Sequence, residues 1–283
     1  MEQIKNKMSG LKVFTFLCAA LTFLCVCGAA SAATIYVPDN YTTIQQAVDN
    51  ATAGETIIVR DGTYFENVDI YKKLTIRSEN GSANCVVHAA NSNDHVFEVT
   101  ADNVTIKGFT VTGATRYAKA GIYLYNSNNC KIENVNASNN NNGIYIYKSS
   151  SNTIANNTVS NNNNGIYLVW YSSNNIIANN TFLLNGMFVY YNSYENTVVN
   201  NTVNGKPLVY LENVSDYVVE DAGQVIAINS KNITIKDLNL SHATVGVEFW
   251  NTDSSKIINN TVSNNNNGIY LVWYSSNNII ANN

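Results

Sequence analysis

The sequence predicts an all-β chain wound as a parallel β-solenoid. Two observations carry that expectation: an internal repeat of about 22 residues, and two short β-type runs inside each period. The 25 residues Asn156–Asn180 return unchanged at Asn259–Asn283, and looser copies fill the space before and between them. Gly121-Ile-Tyr-Leu-Tyr, Gly143-Ile-Tyr-Ile-Tyr, Gly165-Ile-Tyr-Leu-Val and Gly186-Met-Phe-Val-Tyr follow at steps of 22, 22 and 21 residues, and Gly246 to Gly268 is 22 again. A second anchor keeps pace: Ile154-x-x-Asn157-x-Val159, Ile177-x-x-Asn180-x-Phe182, Val198-x-x-Asn201-x-Val203 and Ile257-x-x-Asn260-x-Val262.

Alternate residues of a strand point to opposite faces. Ile122, Ile144, Ile166, Met187, Val247 and Ile269 therefore share a face with Leu124, Ile146, Leu168, Val189, Phe249 and Leu271, and this uniformly apolar face is the inside. Tyr123, Tyr145, Tyr167, Phe188, Glu248 and Tyr270 are expected outside. The glycine opening each run is read as a turn backbone that other residues reach only with strain. Asn suits left-handed corners and can bond to its counterparts in the turns above and below. No turn can stand alone. About six inward side chains at ~1.5–3 kcal/mol each cannot offset ~1–2 kcal/mol of backbone entropy per residue, so stacking must supply the rest.

Taken in order, residues 1–32 read as a signal peptide. Lys5, Lys7 and Lys12 precede the apolar run Val13–Cys27, and Ala30-Ser31-Ala32 is a cleavage site. The run is shorter than the ~20 residues of a membrane span, so a secreted or cell-surface (extracytoplasmic) protein is expected, with residues 33–283 forming one β-helix domain. Thr42–Ala51 is the one helical pattern, with a Thr cap and Ile44, Ala47, Val48 and Ala51 at helical spacing. It would cover the open end of the first turn. The insert Ala114–Ala120 should bulge outward, and Gly205–Gly223 departs from the repeat around Lys206-Pro207-Leu208. The repeat otherwise suggests one unbroken solenoid from about Thr34. At Asn283 two readings are open: a fragment of a longer repeat protein, or end-to-end association through exposed strand edges.

Charged residues are 13% and net charge is −4, which leaves no basic footprint for nucleic acid. Beyond the leader, Cys85 and Cys130 lie 45 residues apart. Two turns at ~4.8 Å each exceed the ~7 Å reach of a disulfide, so two free, buried thiols are expected. Sequons such as Asn80-Gly-Ser82, Asn136-Ala-Ser138 and Asn213-Val-Ser215 are acceptors where they face outward, whereas the inward Asn157 type is not.

These repeats resemble the right-handed parallel β-helix proteins of the pectin-lyase-like superfamily. They are most similar to the NosD-type, or carbohydrate-binding and sugar-hydrolase, repeats of methanogen surface proteins. The resemblance is carried by the glycine-led repeats and by Ile44-Gln45-Gln46-Ala47-Val48, Gly54-Glu55-Thr56-Ile57-Ile58-Val59, Gly62-Thr63-Tyr64 and Leu74-Thr75-Ile76. It implies a single-stranded right-handed parallel β-helix with a short N-terminal capping helix. It implies little about function, because that scaffold hosts lyases, hydrolases, esterases, epimerases and binders.

Residues for catalysis are scarce. The clustered Asp, Gly-His-Gly and Arg-x-Lys runs of polygalacturonase-like members are missing, as is the Asp-Phe-Ile-Phe-Gly strand of the methylesterases. Glu248 and Asp253 are the best carboxylate pair on one outer face, but they point along a turn rather than across a groove. Asp94, His95 and Glu98, about one turn from Arg116 and Lys119, form the one candidate catalytic cluster, with solvated surface as the alternative. The NosD resemblance implies copper delivery, yet His88, His95 and His242 are scattered and soft-metal sites need convergent donors; no metal or cofactor is expected.

The stronger functional pattern is aromatic. Tyr123, Tyr145 and Tyr167 project in register, flanked by Tyr125, Tyr147, Tyr190 and Trp250, with Tyr270 continuing the row. Such a strip can bind sugar rings, or it can simply stabilise the sheet by in-register stacking. Trp170 and Trp273 fall in a turn and are left outside the strip. The reading favoured is an exported, non-catalytic structural and carbohydrate-binding module contacting polysaccharide or envelope polymer. A polysaccharide lyase or hydrolase is the second reading, and a NosD-like copper-maturation protein the third.

Overall fold

A computed structural model describes residues 33–283 of the chain; the leader expected at residues 1–32 lies outside the described residues. The described chain is a parallel β-helix with one helix, Ile44–Asn50. Among the described residues no helix is long and apolar enough to cross a membrane. The Thr43 side chain caps the helix by accepting from the Gln46 N–H, and the Glu66 carboxylate accepts from the Ile44 and Gln45 N–H groups at 3.0 Å each. Ile44, Ala47 and Val48 are buried over the first turn.

Successive turns stack in register: Ile122 pairs with Ile144 and Ile144 with Ile166, all fully buried. Each corner divides its labour between two neighbouring residues. Asn156, Asn179 and Asn200 take left-handed backbone, with φ of 58°, 57° and 55°. The next residue, Asn157, Asn180 or Asn201, turns inward and builds a ladder. The Val135, Asn157 and Asn180 N–H groups donate in series to the Asn157, Asn180 and Asn201 side-chain oxygens at 2.9–3.0 Å. The same side chains donate to the carbonyls of Ile132, Ile154 and Ile177. A serine ladder, Ser127–Ser149–Ser172–Ser193, runs at another corner. These bonds satisfy backbone groups that a buried bend would otherwise leave unpaired.

The run-opening glycines have a different reason from the one expected. Gly143 does not occupy positive φ; a Cβ there would meet the Gly165 carbonyl oxygen and the Val159 side chain at 2.6 Å each. Its role is close approach of neighbouring turns, not conformational freedom.

The solenoid is not unbroken. Thr202–Val203 pairs antiparallel with the start of Lys206–Glu212 across Asn204 and Gly205, and a second stack begins. It runs through Gln224–Ile228, Val245–Trp250 and Asn267–Val272, each parallel to the last. The apolar residues of these strands divide between two cores. Val225, Ala227, Val247 and Phe249 fill the second stack, whereas Ile226, Ile228 and Trp250 belong to the core of the first. One face of the second stack thus closes the end of the first.

Glu248 is therefore not outside, as the alternation suggested, but fully buried. The last strand of the first stack's aromatic sheet, Met187–Tyr190, leaves an open edge, and side chains from the second stack occupy it. The Gln224 amide accepts from the Met187 N–H at 2.9 Å, and the Glu248 carboxyl accepts from the Val189 N–H at 3.3 Å. Trp250 Nε1–H donates to the Val189 carbonyl at 3.0 Å and to Glu248 at 2.9 Å. This covers an edge that would otherwise template pairing with another strand. It also removes Glu248 from any surface pair with Asp253, and Trp250 from any surface strip. Cys85 and Cys130 are free and buried; burial pushes the Cys85 thiol up to about 12.

Candidate functional site: the tyrosine column and its cleft

The aromatic sheet carries one outward column in strict register. Asp69, Glu98, Tyr123, Tyr145, Tyr167 and Phe188 occupy equivalent positions on successive strands. The rings of Tyr123, Tyr145, Tyr167 and Phe188 follow at centroid spacings of 4.9, 5.1 and 5.4 Å, and His95 lies on the Tyr123 face at 4.3 Å. The Tyr145 and Tyr167 rings are parallel within 7°. Parallel rings this close overlap face to face, so no sugar ring fits between them; the column offers ring edges and hydroxyls. Burial raises the Tyr145 phenol to about 12 and shifts Tyr123 and Tyr167 further up, so all are neutral donors at physiological pH.

Tyr270 does not continue the row. It meets Phe188 edge-on from the second stack, with centroids 5.5 Å apart. Tyr125 and Tyr147 form a flanking pair at 5.6 Å, and Tyr190 packs against the buried Trp250 at 5.7 Å.

Over Tyr145, Tyr167 and Phe188 lies a cleft of roughly 270 Å³. One wall is the insert, with Tyr117 91% exposed and Ala118 at φ 60°. The other wall is Asn266 and Asn267 of the second stack, and Asn141, Asn142, Asn163 and Asn164 complete the lining. The Asn266 side chain donates to the Asn163 carbonyl. These are equivalent positions in the two identical 25-residue copies, so the copies touch across the cleft. No charged side chain lines it. Sequence reading missed Tyr117 and Asn266 because the first lies in a loop and the second enters through the break between stacks.

The foot of the column is acidic. Asp94, His95 and Glu98 place donor atoms within 4.8 Å of one another, and Lys119 pairs with Asp94 at 3.7 Å. Arg116 stands on the exposed loop, and its side chain joins neither group. His95 Nδ1 accepts from the Ala120 N–H at 3.1 Å, and burial brings the ring down to about 4, so it is neutral at pH 7. Burial, then the neighbouring Asp69 and Asp94, raises the Glu98 carboxyl. A carboxyl held toward its protonated form beside an ion-paired carboxylate is a combination suited to proton transfer. Asp69 was not foreseen; its place in the column follows from strand pairing, not from any sequence motif.

The family described as right handed beta helix region matches residues 35–182 and 94–222. The family described as periplasmic copper-binding protein (NosD) matches residues 206–283. That stretch contains one histidine, His242, and neither Cys nor Met, so its donors do not fit a copper site. A cell surface glycoprotein of Methanothermus fervidus is 36% identical over 134 residues, which is 46% of this chain and 21% of that protein. Among solved structures, an alginate lyase from Paenibacillus sp. is similar at TM-score 0.52 and 17% identity, over 87% of this chain and 98% of the lyase. The ORF18 protein of Geobacillus virus E2 is similar at TM-score 0.53 and 14% identity, over 88% of this chain and 59% of its own. At such identities these two likenesses concern the fold.

Proposed function

The chain belongs to the right-handed β-helix family, and from that premise we propose that it is a cell-surface β-helix module that binds polysaccharide in the cleft over its tyrosine column, without catalysis. The observation that carries this reading is the composition of the cleft: phenol hydroxyls and Asn amides, fixed by in-register stacking and walled by Tyr117 and Asn266, with no charge. Sugar hydroxyls are met by such neutral donors and acceptors, and the stacked rings hold them in place at little entropic cost. The relative in a methanogen surface glycoprotein and the apolar leader pattern support the extracytoplasmic placement.

The test separates recognition from packing. Tyr167→Phe removes a hydroxyl and keeps the ring, and Tyr117→Ala removes an exposed wall. Binding to a neutral glycan on an array or in affinity electrophoresis should fall about tenfold in Tyr167→Phe, equivalent to ~1.4 kcal/mol, with unchanged melting. Full binding by the double variant would refute the reading.

The acidic foot favours one alternative, cleavage of a polysaccharide chain by a lyase or hydrolase mechanism using Glu98 and its neighbours. That alternative requires release of unsaturated or reducing ends from polyuronates or neutral glycans, abolished by Glu98→Gln. Unchanged turnover in that variant would exclude it.

A further inference from the structure

The corners that follow the aromatic strands hold a left-handed backbone. At Asn126, Asn229 and Asn251 an asparagine takes it, with φ of 49°, 49° and 44°. In the two identical copies, Trp170-Tyr171 and Trp273-Tyr274 take it instead, with φ of 57°, 61°, 44° and 63°. That conformation costs a bulky residue ~1–2 kcal/mol; Lys148 and Tyr191 hold it at the corresponding corners, with φ of 48° and 53°, so the stacked turns impose it. In the first copy Trp170 is stacked on Tyr191 at 3.9 Å. In the second, Trp273 is 49% and Tyr274 83% exposed.

These two rings, with Tyr194, Trp250, Ile228 and the amides of Asn192, Asn229 and Asn251, line an open cavity of roughly 180 Å³ where the two stacks meet. Its floor is rigid, because Trp250 is pinned by its bond to the Val189 carbonyl. Trp273 lies parallel to Trp250 at 6.0 Å, and Tyr191 braces it edge-on at 5.8 Å. Trp250 and Tyr191 cover part of Trp273, yet about half of it stays exposed, whereas Tyr145 and Tyr167 are only partly exposed between their stacked neighbours. The lining has no charged side chain, and it mixes indole and phenol surface with amides, of which Asn251 donates to Asn229 at 2.9 Å.

We propose that this cavity is a second carbohydrate site, which takes one uncharged pyranose ring of a neutral glycan against Trp273. The C–H face of a pyranose matches an indole face, while its hydroxyls match the amides. A purely apolar ligand would leave the amides unpaired. A uronate would have its carboxylate desolvated with no cation to meet it. The volume is below the ~300 Å³ at which small-molecule sites usually begin and the cavity opens to solvent, so it holds one ring while the rest of a glycan stays outside. The cavity shares no lining residue with the cleft over the column, so each site can fail without the other.

The experiment uses the whole chain carrying Tyr117→Ala and Tyr167→Phe, which disable the cleft. Cellohexaose, mannohexaose, chitohexaose and hexagalacturonate are titrated, read by tryptophan fluorescence and saturation-transfer NMR. The expected result is saturable binding of at least one neutral hexasaccharide, tenfold or more tighter than hexagalacturonate. Adding Trp273→Ala should weaken it at least tenfold, and Tyr274→Ala at least threefold. Should Trp273→Ala lower the melting temperature, Tyr274→Ala alone decides. Absence of neutral-sugar binding, equal binding of hexagalacturonate, or affinity unmoved by Tyr274→Ala would overturn the proposal.

Discussion

Two adjacent asparagines in the same corner should respond very differently to the same substitution. Asn180 is buried: its amide donates to the Ile154 carbonyl and to Asn201 at 2.9 Å each, and its oxygen accepts from the Asn157 backbone and side-chain N–H groups at 3.0 Å. Asn180→Ala leaves the Ile154 carbonyl and the Asn157 backbone N–H without these partners in a dry interior. At ~1–3 kcal/mol per orphaned buried group, the loss should be about 4 kcal/mol. Asn179 is exposed, and its φ of 57° is its contribution. Asn179→Ala should cost about 1 kcal/mol, and Asn179→Gly close to nothing. For a chain of this size ~2–4 °C of melting temperature accompanies each kcal/mol, so Asn180→Ala should melt roughly 10 °C below wild type and Asn179→Ala about 3 °C below. Thermal and urea unfolding followed by circular dichroism measures both. Equal shifts, or a larger one at Asn179, would refute the division between the two corner residues.

The junction between stacks should be sensitive to pH. Burial raises the Glu248 carboxyl well above its ordinary value, so the folded state holds a proton that the unfolded chain releases above ~4.3. Stability should be full below that pH and decline as pH rises toward the folded-state value; Glu248→Gln should flatten this decline in urea titrations from pH 4 to 8. Gly143→Ala pushes a methyl into the Gly165 carbonyl and Val159 and should cost ~2 kcal/mol or more, measured as a fall in melting temperature. Cys85 and Cys130 should resist a thiol reagent in the native protein, react in denaturant, and show no mass change on reduction.

The architecture was legible because its cause is periodic: an equal letter at an equal step has to meet its own copy in the next turn. Ile144, Asn157 and Tyr145 reveal their surroundings through repetition alone. The second stack was not legible for the same reason. Its letters repeat the first stack's pattern, so Glu248 reads as one more outward residue, and nothing local says that its strand lies across the Met187–Tyr190 edge. Gln224, Glu248 and Trp250 carry the only trace of this: polar or indole side chains where other copies place small or phenolic ones. The candidate site divides along the same line. The tyrosine column could be read from register, whereas Tyr117, Asn266 and the Trp273 cavity depend on an insert and on contact between stacks. Sequence shows the insert at Ala114–Ala120 but neither what it faces nor the contact between stacks.

The ladders and the cleft both require 22-residue turns lying one above another, since both are built from aligned columns. Spin labels on Thr158→Cys and Thr181→Cys, exposed residues paired on neighbouring strands, test it most directly. Separation by one strand spacing, ~4.8 Å, predicts strong dipolar broadening in the doubly labelled protein. A spectrum equal to the sum of the two single labels would contradict it.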